Sequence, residues 1–411
     1  MKKLFLILPI VGLAASLAIS FLIYPLIAEP LGSSPMSDRY DALAEGLLRY
    51  GTLSYYPDSS PTVLRPPLHP LLLALSMAIG GENYQPVALI VQAIIHAFTV
   101  LVAVRLGFRL GGKQAGVLTG LICAIHPLLL WYSGRLIVET LLTFLFSLTV
   151  FTFVRYWQSP SLKNAALAGL VIGVGLWCKA VFIPLLILFP ILIVTRRGFS
   201  SRWRHAAALV SVAVVVIAPW IVRNYSLTGR WPVLQALVGY NLTVSDYFVD
   251  HAPESPLAYI PLIYGVNDTG LRQWIDARDS THTLGWLETE RDAELFRKST
   301  DRYMRDPLFL MKKISINSVW IWSLASTPGI TFVMALAQGS LLVFSLVGAW
   351  RMFRAERWPS DALIPFYAAL AYVAAHLPVF AIARFSIVLI PSLTATAAAA
   401  YFRSREKRAT F

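Results

Sequence analysis

The chain has 411 residues, 57% of them hydrophobic and only 14% charged, with a formal net charge of +13 at pH 7. Soluble domains are nearer half apolar and a quarter charged, so this composition excludes an ordinary soluble domain and points to an integral membrane protein. The two cysteines, Cys123 and Cys178, both lie in apolar runs and provide no disulfide framework.

The N-terminal stretch "MKKLFLILPIVGLAASLAISFLIYPLIA" joins a basic start to a long apolar run. A signal peptide has a shorter apolar region and a small-residue cleavage site, and "LIAEPLG" is a poor one, so the stretch reads as an uncleaved first span. A bilayer core takes roughly 20 apolar residues per helix. That rule yields about ten spans, near 4–27, 86–106, 115–132, 137–155, 164–178, 180–195, 205–222, 330–350, 361–377 and 385–402. With the N-terminus inside, the cytoplasmic pieces hold 18 of the 35 Lys and Arg residues but three of the 22 acids. The positive-inside rule therefore sets the orientation, with both termini cytoplasmic, and the basic excess is topology rather than a nucleic-acid footprint.

Two segments do not fit in the bilayer, and both fall outside. The first, 28–85, completes an N-terminal transmembrane module spanning 1–222. Ser37 or Asp38 is placed to cap a helix whose apolar positions Tyr40, Leu43, Ala44, Leu47 and Leu48 follow helical spacing up to Gly51. Such a helix lies along the membrane surface. "YYPDSSP" is a turn-rich connector, and "RPPLHPLLLALSMAIGG" a short apolar helix suited to the outer leaflet. The second segment, 223–329, contains "RDAELFRKSTDRYMRDPLFLMKKISINSVWIWSL", amphipathic and aromatic as interfacial helices are. A C-terminal transmembrane part, 330–411, follows. The cytoplasmic connections are short, so any chemistry is expected on the outer face.

Two ionisable residues stand out on physical grounds. Glu139 sits at the outer end of the fourth span, where an acid is costly unless paired or used. Its bland reading is a structural pair with Arg135. Lys179 is alone between two apolar spans on the outer side; its bland reading is a snorkelling lysine. No His, Cys and Asp cluster has metal-site spacing, and His96 and His126 are expected to be satisfied within their spans.

Five stretches, in order, resemble one family. They are "SDRYDALAEGLLRYGTLS" with "RPPLHPLLLA", "GRLIVETLLTFL", "LWCKAVFIPLLI", "PWIVRNYSLTGRWPVLQALVGYNL" and "IARFSIVLIPSL". The chain is similar along nearly its whole length to the polyprenyl-phosphate-dependent membrane glycosyltransferases. That family includes protein O-mannosyltransferases and lipid A aminoarabinose transferases. The resemblance implies an all-α polytopic protein with the C-type glycosyltransferase fold. It also implies transfer of a sugar from a polyprenyl-phosphate carrier to a hydroxyl of a lipid, glycan or protein acceptor, at the outer face of an inner membrane.

Such a transfer needs a carboxylate to take the acceptor's proton and cations to receive the phosphate charge. The resemblance makes Asp38 the base, with Asp41 as the alternative and a helix cap as its bland reading. It places Glu139 near the acceptor or as an assistant to the first acid. Lys179, Arg65 and Arg384 fall to the lipid phosphate. Tyr40 and His69 are further substrate-binding candidates, and Arg223 is one that also reads as an anchor beyond the seventh span. No cofactor is required, although a divalent ion between Asp38 and the phosphate stays open. A multi-span transporter or lipid flippase, or a non-catalytic subunit of an envelope glycan system, remain the competing readings. Transporters usually show paired repeats and midplane sites; here the ionisable residues gather at the outer ends instead.

Overall fold

The structure, a computed structural model, describes residues 2–28, 38–55, 61–196, 202–231, 234–251, 284–324, 328–355 and 360–409. Ser37, residues 56–60 of the connector, and residues 252–283 of the second outer segment lie outside that set. Among the described residues every regular element is helical.

Among the described residues six helices are long and apolar enough to cross a membrane: Leu6–Leu26, Leu68–Ile125, Glu139–Gln158, Arg202–Thr228, Thr331–Arg354 and Ala383–Arg403. Leu162–Cys178 and Ala180–Thr195 are apolar but shorter. This differs in detail from the ten expected spans, and the breakers explain how. The run Leu68–Ile125 is interrupted at Gly81 and again at Gly111–Gly112, where Gly112 has φ 75°, a conformation that side chains resist. The expected spans 86–106 and 115–132 are thus two arms meeting at a glycine break. Pro127 then starts a separate short helix, Pro127–Ser133, whose first free amide, that of Leu128, donates to the His126 ring at 3.3 Å. The expected spans 180–195 and 361–377 are helices of 13 residues, Ile183–Thr195 and Ile364–His376, each entered through a single 3₁₀ turn.

Glu139–Gln158 is the central helix. Phe146, Val150 and Phe153 are fully buried, and Phe153 stacks on Phe189 with ring centroids 3.7 Å apart. Beside it, Leu162–Cys178 packs on Arg202–Thr228 through small residues, as apolar helices do when no water is available to drive them together. The approach is closest at Gly169, where an added Cβ would lie 2.2 Å from the Leu209 carbonyl oxygen.

The central helix also separates two polar ends, about 30 Å apart at 1.5 Å per residue. At its C-terminal end, residues of the connections expected inside meet. Arg109 donates to Gln158 at 2.9 Å, Gln158 to Asp361 at 2.6 Å, and Arg403 pairs with Asp361 at 3.3 Å. At its N-terminal end stands Glu139.

The outer segments form the helices that the sequence suggests. Tyr40–Tyr50 buries Tyr40, Leu43 and Ala44 and ends at Gly51, whose amide donates to the Leu47 carbonyl at 3.0 Å. Leu48, placed on the apolar stripe by its spacing, is instead exposed at the stripe's edge. From the second segment come Val238–His251, Leu284–Arg305 and Pro307–Ser323. They are locked by Lys313, which is 0% exposed. Its ammonium donates to Asp246 and to Tyr303, each at 2.7 Å, and to the Leu242 carbonyl at 3.2 Å. This platform grips the loop before the last helix: Asn317 donates to the Leu377 carbonyl at 2.7 Å, and Ala383 N–H to the Leu324 carbonyl at 3.0 Å.

Because Gly169 has no room for a methyl group, Gly169→Ala should destabilise the detergent-solubilised protein by about 1–3 kcal/mol. Gly339→Ala, where an added Cβ meets nothing within 4 Å, should stay within about 0.5 kcal/mol of the parent. Thermal unfolding of the two variants side by side checks this, and equal midpoints would refute the packing argument.

Candidate active site

Four elements, distant in sequence, converge at the N-terminal end of the central helix. Glu139 is that helix's first residue, and the irregular stretch before it is pinned from several sides. Gln92 donates to the Arg135 carbonyl at 2.5 Å, the His69 ring meets the Leu136 carbonyl at 3.3 Å, and Thr140 donates to the Tyr132 carbonyl at 3.1 Å. The carboxylate is thereby delivered at 1% exposure.

Arg384 faces it from the short helix Ala383–Ser386. Its Nε donates to Glu139 Oε1 at 2.5 Å and its Nη2 donates to Asp38 Oδ2. One guanidinium therefore bridges two buried carboxylates. Each keeps one oxygen, Asp38 Oδ1 and Glu139 Oε2, without a hydrogen-bond partner among the described residues. The expected structural pairing of Glu139 with Arg135 is not what forms. The Arg135 guanidinium lies over the Trp131 ring, 5.1 Å from its centroid.

Asp38 is not a helix cap either. The helix begins at Tyr40 with Arg39 in the capping place and no side-chain cap bond. Asp38 and Arg39 both take left-handed backbone conformations, φ 49° and 60°, and are the non-glycine residues among those described that do so. Such strain persists only where surrounding contacts enforce it, and it gathers at functional sites. Burial pushes the Asp38 carboxyl up, but Arg384, with lesser help from Arg65 and Lys179, outweighs it and holds it down at about 2. Asp41, the alternative base, lies in the first turn of that helix, and its charge acts on Tyr84.

Two further cations complete the group. Arg65 lies over the Tyr40 ring, 4.6 Å from its centroid, and Tyr40 in turn meets His69 edge-on at 4.8 Å. Tyr40 and His69 are 3% and 1% exposed: they form the shelf beneath Arg65. Lys179 caps the C-terminal end of Leu162–Cys178, and its ammonium rests 4.7 Å from the centre of the Phe385 ring. Burial pushes that ammonium down, while Glu139 pulls it back up. Arg223 is not in this cluster. It donates to the Thr62 carbonyl at 2.7 Å and to Asn224 at 2.9 Å, behind Arg65.

Three cations thus stand with two carboxylates among the described residues, one positive charge in excess. Among the described residues no group of three or more His, Cys, Asp or Glu side chains is placed to hold a metal ion. Sequence reasoning passed over Phe385, Tyr55 and Glu288. Glu288 carried a weak signal, as an acid on an amphipathic helix, but nothing in its spacing told that it is buried at 1% exposure. His96 is bonded to the Ala124 backbone within its span, while its Nε2, without a partner among the described residues, lines a small cavity shared with Glu139, Thr140 and Thr143.

Residues 64–222 match the family model described as dolichyl-phosphate-mannose-protein mannosyltransferase. No curated protein matches the chain. Among solved structures, the archaeal oligosaccharyltransferase AglB from Archaeoglobus fulgidus, in complex with an inhibitory peptide and a dolichol-phosphate, is similar at 15% identity and a TM-score of 0.58. That match covers 100% of this chain and 52% of AglB. The Archaeoglobus fulgidus oligosaccharyltransferase tethered with an acceptor peptide containing the NVT sequon via a disulfide bond gives 16% identity and a TM-score of 0.59, covering 99% and 50%. ArnT from Cupriavidus metallidurans in the apo state gives 14% identity and a TM-score of 0.42, covering 99% and 77%. The chain therefore spans about half the length of the AglB structures it matches. Residues 64–222 thus match the mannosyltransferase family model, and the chain as a whole has the fold of the archaeal oligosaccharyltransferase, with helices long and apolar enough to cross a membrane.

Proposed function

We infer that this protein transfers a sugar from a polyprenyl-phosphate carrier to an acceptor hydroxyl. The observation that carries the reading is the charge count at the central helix: among the described residues, two carboxylates meet three cations, one positive charge in excess. A sugar–phosphate–lipid donor is a monoanion, so its phosphate neutralises the cluster. Lys179 offers the phosphate an ammonium that rests on an aromatic face, and Arg65 a guanidinium held on its shelf. Both types suit this anion. The reading calls for no cofactor, since the chain's own side chains supply the charge.

In the reaction the acceptor oxygen forms a bond to the anomeric carbon as the bond from that carbon to the phosphate oxygen breaks. The acceptor's proton passes to Asp38 Oδ1, the oxygen left without a partner. The carrier leaves as a phosphate dianion, whose new charge falls on the cations. A carboxyl held at about 2 is a weak base. The donor phosphate resolves this by competing for Arg384. As the guanidinium shifts toward the phosphate, Asp38 loses the partner that depresses it, and burial raises its basicity. Activation of the base thus follows occupation of the phosphate site.

The placement supports an outward-facing site in a cell's inner membrane, with both termini cytoplasmic. The inferred inside connections meet at the far end of the central helix, and Asp38 and Lys179 share the near end. A cysteine at either Asp38 or Lys179 should react with an impermeant reagent from the outer side; labelling of the two from opposite sides would end the proposal. The competing transporter reading predicts solute uptake into protein-containing vesicles with no covalent product.

Release of undecaprenyl phosphate from lipid-linked sugar, followed by mass spectrometry on purified protein in vesicles, tests the reaction whichever sugar the carrier bears. Asp38→Asn should lower the rate about 10²–10⁴-fold. Release at the parent rate would remove Asp38 from the chemistry.

A pH profile tests the role of Arg384. Asp38 is depressed in the free site, so kcat/KM should be flat through the mildly acidic range. In Arg384→Gln the burial contribution dominates and the carboxyl rises, which brings an acid limb into that range. The same variant should lose about 10²–10³-fold in rate. An unshifted acid limb would mean that Arg384 does not govern the base.

A further inference from the structure

Glu288 lies on Leu284–Arg305, in the second outer segment, and is 1% exposed. Neither carboxylate oxygen is hydrogen-bonded to a cation. Oε1 accepts the Thr62 hydroxyl at 2.6 Å and Oε2 accepts the Val63 amide at 2.8 Å, across more than two hundred residues of sequence. Burial pushes this carboxyl up to about 7, in spite of the hydroxyl, the amide and the charge of Arg223, all of which pull it down. A costly group is thus spent on holding two residues of the first outer loop.

Those two residues are held at every polar backbone atom. Thr62 N–H donates to the Leu53 carbonyl at 2.9 Å, and the Thr62 carbonyl accepts Arg223 at 2.7 Å. Val63 N–H goes to Glu288, and the Val63 carbonyl accepts Ala236 N–H at 3.1 Å. The Thr62 hydroxyl also accepts Leu64 N–H at 3.2 Å. The register of the strand-like stretch is therefore set largely by the second outer segment and by the end of Arg202–Thr228. Arg65 is the next charged residue along, and its guanidinium acts on Tyr40, Tyr55 and Asp38. Tyr55 feels both Arg65 and Glu288.

We propose that Glu288 is a positioning residue that, by clamping Thr62 and Val63, sets the Arg65 guanidinium for the carrier phosphate and so makes phosphate binding depend on a docked second outer segment. This rests on the phosphate role given to Arg65 above. The clamp acts on the ground state and the transition state alike, so its loss should appear in carrier affinity.

The test measures binding of undecaprenyl phosphate to the purified full-length protein in nanodiscs, with thermal unfolding recorded for each variant. Glu288→Gln, which keeps the side-chain shape, should weaken binding about five- to tenfold, or roughly 1–1.4 kcal/mol. Thr62→Val, which removes one of the two clamp bonds, should act in the same direction and less strongly. The deciding measurement is the double-mutant cycle. If Glu288 works through Arg65, then in an Arg65→Ala background Glu288→Gln should change the affinity less than about twofold. A full additional loss in that background overturns the inference, as does a Glu288→Gln protein that binds like the parent. Should Arg65→Ala alone bind the carrier normally, the phosphate assignment of Arg65 fails, and this inference with it.

Discussion

A single guanidinium shared between two buried carboxylates organises this molecule's chemistry. Arg384 approaches Glu139 through its Nε and Asp38 through its Nη2, in a place where Glu139 is buried and the Asp38 side chain is 9% exposed. Burying such charges costs several kcal/mol per ion, which is offset only by close and well-directed partners. The arrangement therefore forces the first outer loop, the start of the central helix and the entry to the last helix to meet at one point. It also leaves each acid with an oxygen unsatisfied, so the cluster is held together yet not complete.

The surrounding structure is devoted to holding those three elements in register. The central helix is gripped by aromatic packing along its length and by hydrogen bonds to the turns before it. The last helix is entered through a loop tied to Leu324 and Asn317 of the outer platform. The first loop is tied to the same platform by Glu288 and to the end of Arg202–Thr228 by Arg223. The platform is itself locked by a fully buried lysine with three acceptors. The second outer segment is thus the common support for two walls of the charged cluster.

Much of this was legible in the amino-acid order. Helical periodicity gave Tyr40–Tyr50 its buried face, and Gly51 its end. Proline stood at the start of the short apolar helix after Arg65, and the gap between the expected spans 86–106 and 115–132 holds the paired glycines 111 and 112. The cost of an acid in an apolar run singled out Glu139, and topology singled out Lys179. The individual pairings were not legible. Arg135, four residues before Glu139, looked like its partner by proximity in sequence, yet Arg384, 245 positions away, is the residue that reaches it. Asp38 had the look of a helix cap because local rules favour that use, but a long-range partner turns it into the cluster.

The sequence by itself determined that the chain is a bundle of apolar helices with its charge sorted to the ends, because hydropathy, helix breakers and the cost of a charge in lipid act locally. Only the tertiary structure decided which charges meet. Arg384 between two acids, Arg65 on its aromatic shelf, and Glu288 on the backbone of Thr62 and Val63 all depend on segments hundreds of residues apart being packed against one another. No local property of a carboxylate records which distant donor its two oxygens will face.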